Sequence, residues 1–304
     1  MTLQEYDKDR TERLAGVTRR KAAQSFARRF LREWGLVSST LFLLFIIFIA
    51  VFGPVLAPYN PSAVDLENRF AKPFFLKGDN PRYILGTDSL GRDQLSRILY
   101  GARVSIIIAG ASVIGAGIVG VILGAIAGFF GGWIDEVLMR IVDIGLSIPF
   151  LLLAMVISLL MGSGLLNVIL VLSITGWMQF ARVTRGSALK VKQETYIEAA
   201  LAYGSSPLRI IFRHLIPNLM APIIVIGSQG VGTMIYAEAT LSFLGLGVPV
   251  GTPAWGGMIA DGRNYLSTAW WVSTIPGIVL TLTVLAAFLV GDGLRDLLDP
   301  RLRK

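Results

Sequence analysis

The chain has 304 residues, 54% hydrophobic and only 16% charged, with a mean hydropathy of +0.65 and a formal net charge of +8. Soluble globular chains carry about 25% charged residues, so an ordinary water-soluble fold is excluded and lipid is indicated as the solvent. Cysteine is absent and His214 is the sole histidine, which excludes disulfides, thiol nucleophiles and cysteine-based metal clusters. A serine–histidine triad would have to be built on His214.

Residues 1–35 mix nine basic with five acidic side chains and are expected to form a cytoplasmic tail. From Ser25 the tail becomes a basic amphipathic lead-in to the membrane. A first span is expected over 36–57, closed by Gly53, Pro54 and Pro58. Its core, Leu41–Phe52, holds eleven Leu, Ile, Phe or Val in twelve positions, which favours insertion by about 3–7 kcal/mol. It is too long, and too far from the start, for a cleavable signal.

Residues 58–103 read as an extracytoplasmic segment with turns at Asn60-Pro61, Gly78-Asp79 and Asn80-Pro81. The remainder, 104–304, then divides into a second span at 104–130, a third at 138–161 and a fourth at 165–183. The last two come from one uncharged run, Ile144–Ala181, that would be about 57 Å long as a single helix. Gly162-Ser163-Gly164 divides it. A polar segment at 187–217 precedes a fifth span at 219–244, an extracytoplasmic loop at 245–270, a sixth span at 271–291 and a short tail at 292–304. With both ends inside, 20 of the 28 basic residues fall on the cytoplasmic side and 8 outside, as the positive-inside rule requires. The fold class is therefore an all-α membrane protein of six spans with both termini cytoplasmic.

Glu198 to Asn218 has the grammar of helix, sharp turn, helix. Gly204 supplies a position that tolerates positive φ, Ser206 and Pro207 read as a cap followed by proline at the first helical position, and Pro217 is expected to stop the second helix. A charged element kept in water between two long apolar blocks suits the docking of a soluble partner.

Other motifs carry less. Gly115, Gly117 and Gly120 match GxGxxG with Asp135 beyond, but they lie in an uncharged apolar run and not after a strand, so no dinucleotide is expected. Ala116, Gly120, Gly124, Gly128 and Gly132 recur every four residues and make a small-residue stripe that lets helix backbones approach closely, within this chain or against a second subunit. No GxxxxGK[ST] occurs, so ATP-driven work would need another polypeptide. Glu238 interrupts a long uncharged stretch and is expected at the outer water interface, the other reading being a translocation path with Ser242. Arg140/Asp143 and Asp292/Arg295 are expected to pair along their helices.

Glu198-Ala199-Ala200, three residues, Gly204, and Pro217 at the family's distance resemble the EAA loop of membrane subunits of ABC importers. His214 stands where the loop pattern has an apolar residue, and Ile216 where it has leucine. Leu85-Gly86-Thr87-Asp88 with Gly91-Arg92-Asp93, Ser96-Arg97 and Gly101-Ala102-Arg103 is similar to the dipeptide/oligopeptide permease subfamily. So are Leu241 to Gly247, Trp255-Gly256, Gly291 to Asp296 and Asp299-Pro300-Arg301. The resemblance covers about residues 30–304 and implies a type I importer permease in a bacterial or archaeal cell membrane. It implies a homologous second permease as heterodimer partner, two cytoplasmic ATPase subunits that bind ATP and magnesium, and an extracytoplasmic solute-binding protein. It assigns ATPase coupling to Glu198, Ala199, Ala200, Gly204, Ser206, Pro207, Arg209 and Pro217, with no catalytic residue, cofactor or metal in this chain and no nucleic acid.

An ion-coupled transporter or channel would want carboxylates or histidines mid-span, and these runs hold almost none. A DNA-binding regulator would want arginines clustered on its second helix, where only Arg209 and Arg213 occur. The substrate stays open among dipeptides, oligopeptides, glutathione and nickel chelates.

Overall fold

In lipid every backbone N–H and C=O must be satisfied within the protein, which an α-helix does inside its own segment, and the long uncharged runs form helices. The computed structural model describes residues 33–76, 81–249 and 251–298. The first 32 residues of the tail expected over 1–35, the turn at Gly78-Asp79, Asn80 of the turn at Asn80-Pro81 and the Asp299-Pro300-Arg301 motif lie outside them. The described helices are α1 (Trp34–Leu56), α2 (Gln94–Phe130), α3 (Gly132–Ser147), α4 (Phe150–Met161), α5 (Leu165–Val191) and α6 (Thr195–Ala202). They continue with α7, running from Pro207–Ile210 through a π turn at Ile211–Leu215 into Ile216–Asn218, then α8 (Met220–Phe243), α9 (Trp255–Gly262) and α10 (Trp271–Leu298). Among the described residues there is no strand, only an isolated bridge between Thr87 and Asp93.

Five helices, α1, α2, α5, α8 and α10, are long and apolar enough to cross a membrane alone. The third expected span is different: α3 and α4 meet at Ile148-Pro149 with a bend of 91°. Pro149 has no N–H to carry the helix across this point. The twelve residues of α4 rise only about 18 Å, so one straight helix over 138–161 is corrected to a broken pair.

The second span is longer than expected, starting at Gln94 rather than at residue 104. Charge counting stopped it at Arg103, but the helix continues through Arg97 and Arg103 because Asp93 caps its first turn, accepting from the Ser96 N–H at 2.8 Å. The first span runs on past Pro54 to Leu56, where a proline near the helix end disrupts little.

The core forms where α2 meets its neighbours. Ile98, Ile108, Val171, Leu172, Ile235, Leu241 and Trp255 are all buried in one cluster. Gly120, Gly124 and Gly128 lie successively against residues 177–181, 181–184 and 185–188 of α5, so α2 and α5 run parallel. A Cβ on Gly120 would sit 2.3 Å from the Trp177 carbonyl and one on Gly124 2.4 Å from the Ala181 carbonyl. These glycines of the stripe are therefore used inside the chain. Leu36 at the start of α1 packs on Gly293 near the end of α10, which brings both ends of the described chain to one face of the bundle. On α1, Leu41, Phe45, Phe48 and Phe52 stay exposed, as a lipid-facing surface requires.

Candidate functional site

At the face shared by the chain ends, α6 and α7 form a hairpin of short helices. The turn closes α6 with two reversed bonds, Ser205 N–H to the Ala200 carbonyl at 3.0 Å and Gly204 N–H to the Leu201 carbonyl at 2.9 Å. This pattern needs a left-handed residue after the helix, and Gly204 supplies it with φ of +75°. Pro207 is the first residue of α7, and Ser206 has cap backbone geometry, but its side chain makes no cap hydrogen bond. That part of the expectation is corrected. So is the role of Pro217, which lies inside helical backbone. In α geometry its ring would collide with the carbonyl four residues back. The helix instead widens into the π turn, with Ile216 N–H reaching the Ile211 carbonyl. The Asn218 side chain then donates to the His214 carbonyl at 2.7 Å.

One face of this hairpin is anchored. Ile197, Ile210, Ile211, Leu215 and Leu219 are buried with Ala125 and Phe129 of α2 and Ala188 of α5, which ties the hairpin to the ends of two spans. The opposite face carries Glu198, Ala199, Ala202, Ser206, Pro207 and Arg209, all exposed, with Ala200 half-buried. It also carries four large apolar side chains, Leu201, Leu208, Phe212 and Tyr203, the last 90% exposed. Four large apolar side chains on one otherwise polar element form an exposed apolar patch. Beside the hairpin, Arg185 of α5 grips Asp135 of α3 through two bonds of 2.9 and 2.6 Å, and Arg182 bonds to Asp143. The expected Arg140/Asp143 pair is thus replaced by ion pairs between helices. Asp292 accepts from the Gln229 side chain at 2.9 Å, a contact between α10 and α8 in place of the expected Arg295 pair.

Glu238 does not lie at a water interface. It is fully buried in α8, where its carboxylate accepts from Ser105 of α2 at 3.1 Å and from Ser242 at 2.8 Å. These two hydroxyls make a buried acid tolerable in an apolar bundle. Nothing local marks Ser105 as the partner, because it lies 133 residues away.

At the far end, the segment before α2 folds over α9 and the start of α10. Gly86 and Gly91 have positive φ. A Cβ on Gly91 would fall 1.7 Å from the Asp65 carbonyl oxygen, so only glycine fits there. Asp88 accepts from the backbone of Leu90 and Arg92, both at 2.9 Å, and from the Arg92 guanidinium at 2.6 Å. Arg92 also reaches Asp261 of α9 at 3.3 Å, and Arg97 lies between the same two carboxylates at 3.7 and 3.6 Å. Trp271 donates to the Thr87 carbonyl at 3.2 Å and Trp255 to the Ile98 carbonyl at 3.1 Å. Burial raises the Asp93 carboxyl above its ordinary range. Burial, then the hydrogen bond to Asp65, pushes the Tyr83 phenol up to about 12. Asp261 escaped the sequence reading because its arginine partner lies 169 residues earlier.

A Cβ on Gly256 would lie 2.1 Å from the Ala239 carbonyl, so α9 touches α8 backbone to backbone. Among the described residues no group of three His, Asp or Glu could hold a metal ion. The GxGxxG match lies wholly inside α2, with no strand before it.

The family described as the binding-protein-dependent transport system inner membrane component matches residues 120–304. The N-terminal TM domain of oligopeptide transport permease C matches residues 22–73. The chain is 41% identical over 280 residues to the di/tripeptide transport system permease protein DppC of Pseudomonas aeruginosa, covering 92% of each. It is 42% identical over 280 residues to the glutathione transport system permease protein GsiD of Pectobacterium atrosepticum, covering 92% of this chain and 91% of that one. The fold is similar to a chain of the inward-facing MetNI methionine ABC transporter, with TM-score 0.54 and 19% identity over 67% of this chain and 96% of that chain. The chain therefore belongs to the binding-protein-dependent transport system inner membrane component family, as a multi-pass permease subunit of the peptide-type ABC importers and not an enzyme.

Proposed function

We propose that this chain is one permease half of an ATP-driven importer of short peptides. The hairpin of α6 and α7 docks on a cytoplasmic ATPase subunit. Two such ATPases, a homologous second permease and an extracytoplasmic solute-binding protein complete the machine, and both ends of this chain face the cytoplasm. The observation that carries the reading is the hairpin itself: an exposed apolar face backed by a buried isoleucine and leucine face fixed to the ends of α2 and α5. A rigid element gripped on one side and fixed to two spans on the other converts closure of the ATPases into movement of the spans, biasing inward- against outward-open states. The relatives named for dipeptides and for glutathione support a peptide as the solute.

The test is uptake of radiolabelled dialanine into proteoliposomes containing the transporter purified through this chain. ATP-dependent accumulation that requires the binding protein is expected, with unlabelled dipeptides competing. Absence of an ATPase from the purified complex would overturn the reading. Accumulation of some other solute, with no effect of peptides, would replace the substrate and leave the machine.

A further inference from the structure

At the end of the bundle opposite the hairpin, a cavity of about 540 Å³ opens beside α9. That volume is within the range of small-ligand sites. Its walls include Arg92, Arg97, Arg263 and Asp261, with Ser242 and Tyr265. The charges do not balance. Asp88 and Asp261 are shared by Arg92 and Arg97, and Arg263 adds a third guanidinium with no ion pair among the described residues. Its head lies over the Phe243 ring at 5.6 Å and is exposed. Arg97 is more than nine-tenths buried, yet its Nη1 has no hydrogen-bond partner. A buried donor left unmade is costly, but this atom is closed off from the cavity, so the guanidinium open to a ligand is that of Arg263. Asp261, its side chain 49% exposed, offers a carboxylate to the same space.

We propose that this cavity receives a short zwitterionic peptide, the carboxylate on the exposed guanidinium of Arg263 and the ammonium on Asp261, an assignment that rests on the peptide reading above. Guanidinium groups bind carboxylates through charge-assisted bonds, often in pairs. Ser242 lines the cavity and donates to Glu238 behind it, so the wall connects directly to the buried acid of α8. The permease thus has its own check on the terminal carboxylate, after release from the binding protein.

Uptake of alanyl-alanine and of its C-terminal amide is measured in proteoliposomes holding the complete transporter, each variant being scored against wild type on the same peptide. This scoring cancels any preference of the binding protein. Arg263→Gln should lower alanyl-alanine uptake by about tenfold and leave the amide within about twofold, and Arg263→Lys should recover most of the loss. Gly257→Leu supplies a second variant, because a Cβ there meets nothing within 4 Å and Gly257 lines the cavity. Its side chain should fill the space and suppress uptake of both peptides. Unchanged uptake in Gly257→Leu, or equal loss of both peptides in Arg263→Gln, overturns the proposal. So does loss of binding-protein stimulation of the ATPase in Arg263→Gln without peptide, which would make the arginine a contact for that protein. If the wild-type transporter moves no peptide at all, the peptide reading itself falls, and no variant is needed to see it.

Discussion

Gly124 has no side chain, and the contact between α2 and α5 depends on that. A Cβ there would lie 2.4 Å from the Ala181 carbonyl and 2.9 Å from Thr184 Cβ, and neither α5 backbone nor a buried threonine can swing aside. Overpacking of this kind costs about 1–3 kcal/mol. Gly124→Val should therefore lower the thermal unfolding midpoint in detergent by several degrees. Gly110→Ala on the same helix meets nothing within 4 Å and should leave it unchanged. Equal midpoints for the two variants would show that the stripe is not where the helices are locked. The stripe was legible in the sequence from its spacing of four, but its partner was not, since packing within a chain and packing between chains leave the same pattern. Glu238 was legible as an anomaly and misplaced. Its position in an apolar run is the same whether water or two serine hydroxyls satisfy it, and Ser105 lies on another span.

Among the elements, the hairpin of α6 and α7 was the most readable because its turn is local chemistry. Glycine at 204 with proline at 207 specifies a helix end and a helix start within four positions. The π turn before Pro217 was not readable, because a proline can end a helix or be absorbed by widening it, and the buried anchors at Ile211 and Leu215 decide between the two. The bend between α3 and α4 escaped for a similar reason: apolar composition reports burial in lipid and not helix direction. The angle at Gly204 gives the element-scale prediction. A residue with Cβ at φ of +75° costs about 1–2 kcal/mol, although there is open space around the position. Gly204→Asn, which tolerates the left-handed region, should retain most peptide uptake. Gly204→Leu should insert normally into the membrane and lose uptake together with substrate-stimulated ATPase. Full uptake in Gly204→Leu would mean that the angle between the helices is not used in coupling.

Over the whole molecule, the polar chemistry is sorted to two ends. One end holds the hairpin, the Arg185–Asp135 and Arg182–Asp143 pairs and both ends of the described chain. The other holds the folded-over segment before α2, α9 and the arginine-lined cavity. The count of lysines and arginines predicts that the first end faces the cytoplasm, and charge totals need no knowledge of packing. The tertiary links that close this second end, Arg92 to Asp261 and Trp271 to Thr87, join residues more than 160 positions apart and have no local signature. The central claim, that the hairpin is gripped by a cytoplasmic ATPase, is open to one direct measurement because the chain has no cysteine of its own. Tyr203→Cys places a lone thiol at the exposed tip of the hairpin. In membrane vesicles of known sidedness it should cross-link to the ATPase subunit and react with an impermeant maleimide only from the cytoplasmic side, and only once the ATPase is stripped away. Labelling from the external side, or unhindered labelling with the ATPase in place and no cross-link, would contradict the account.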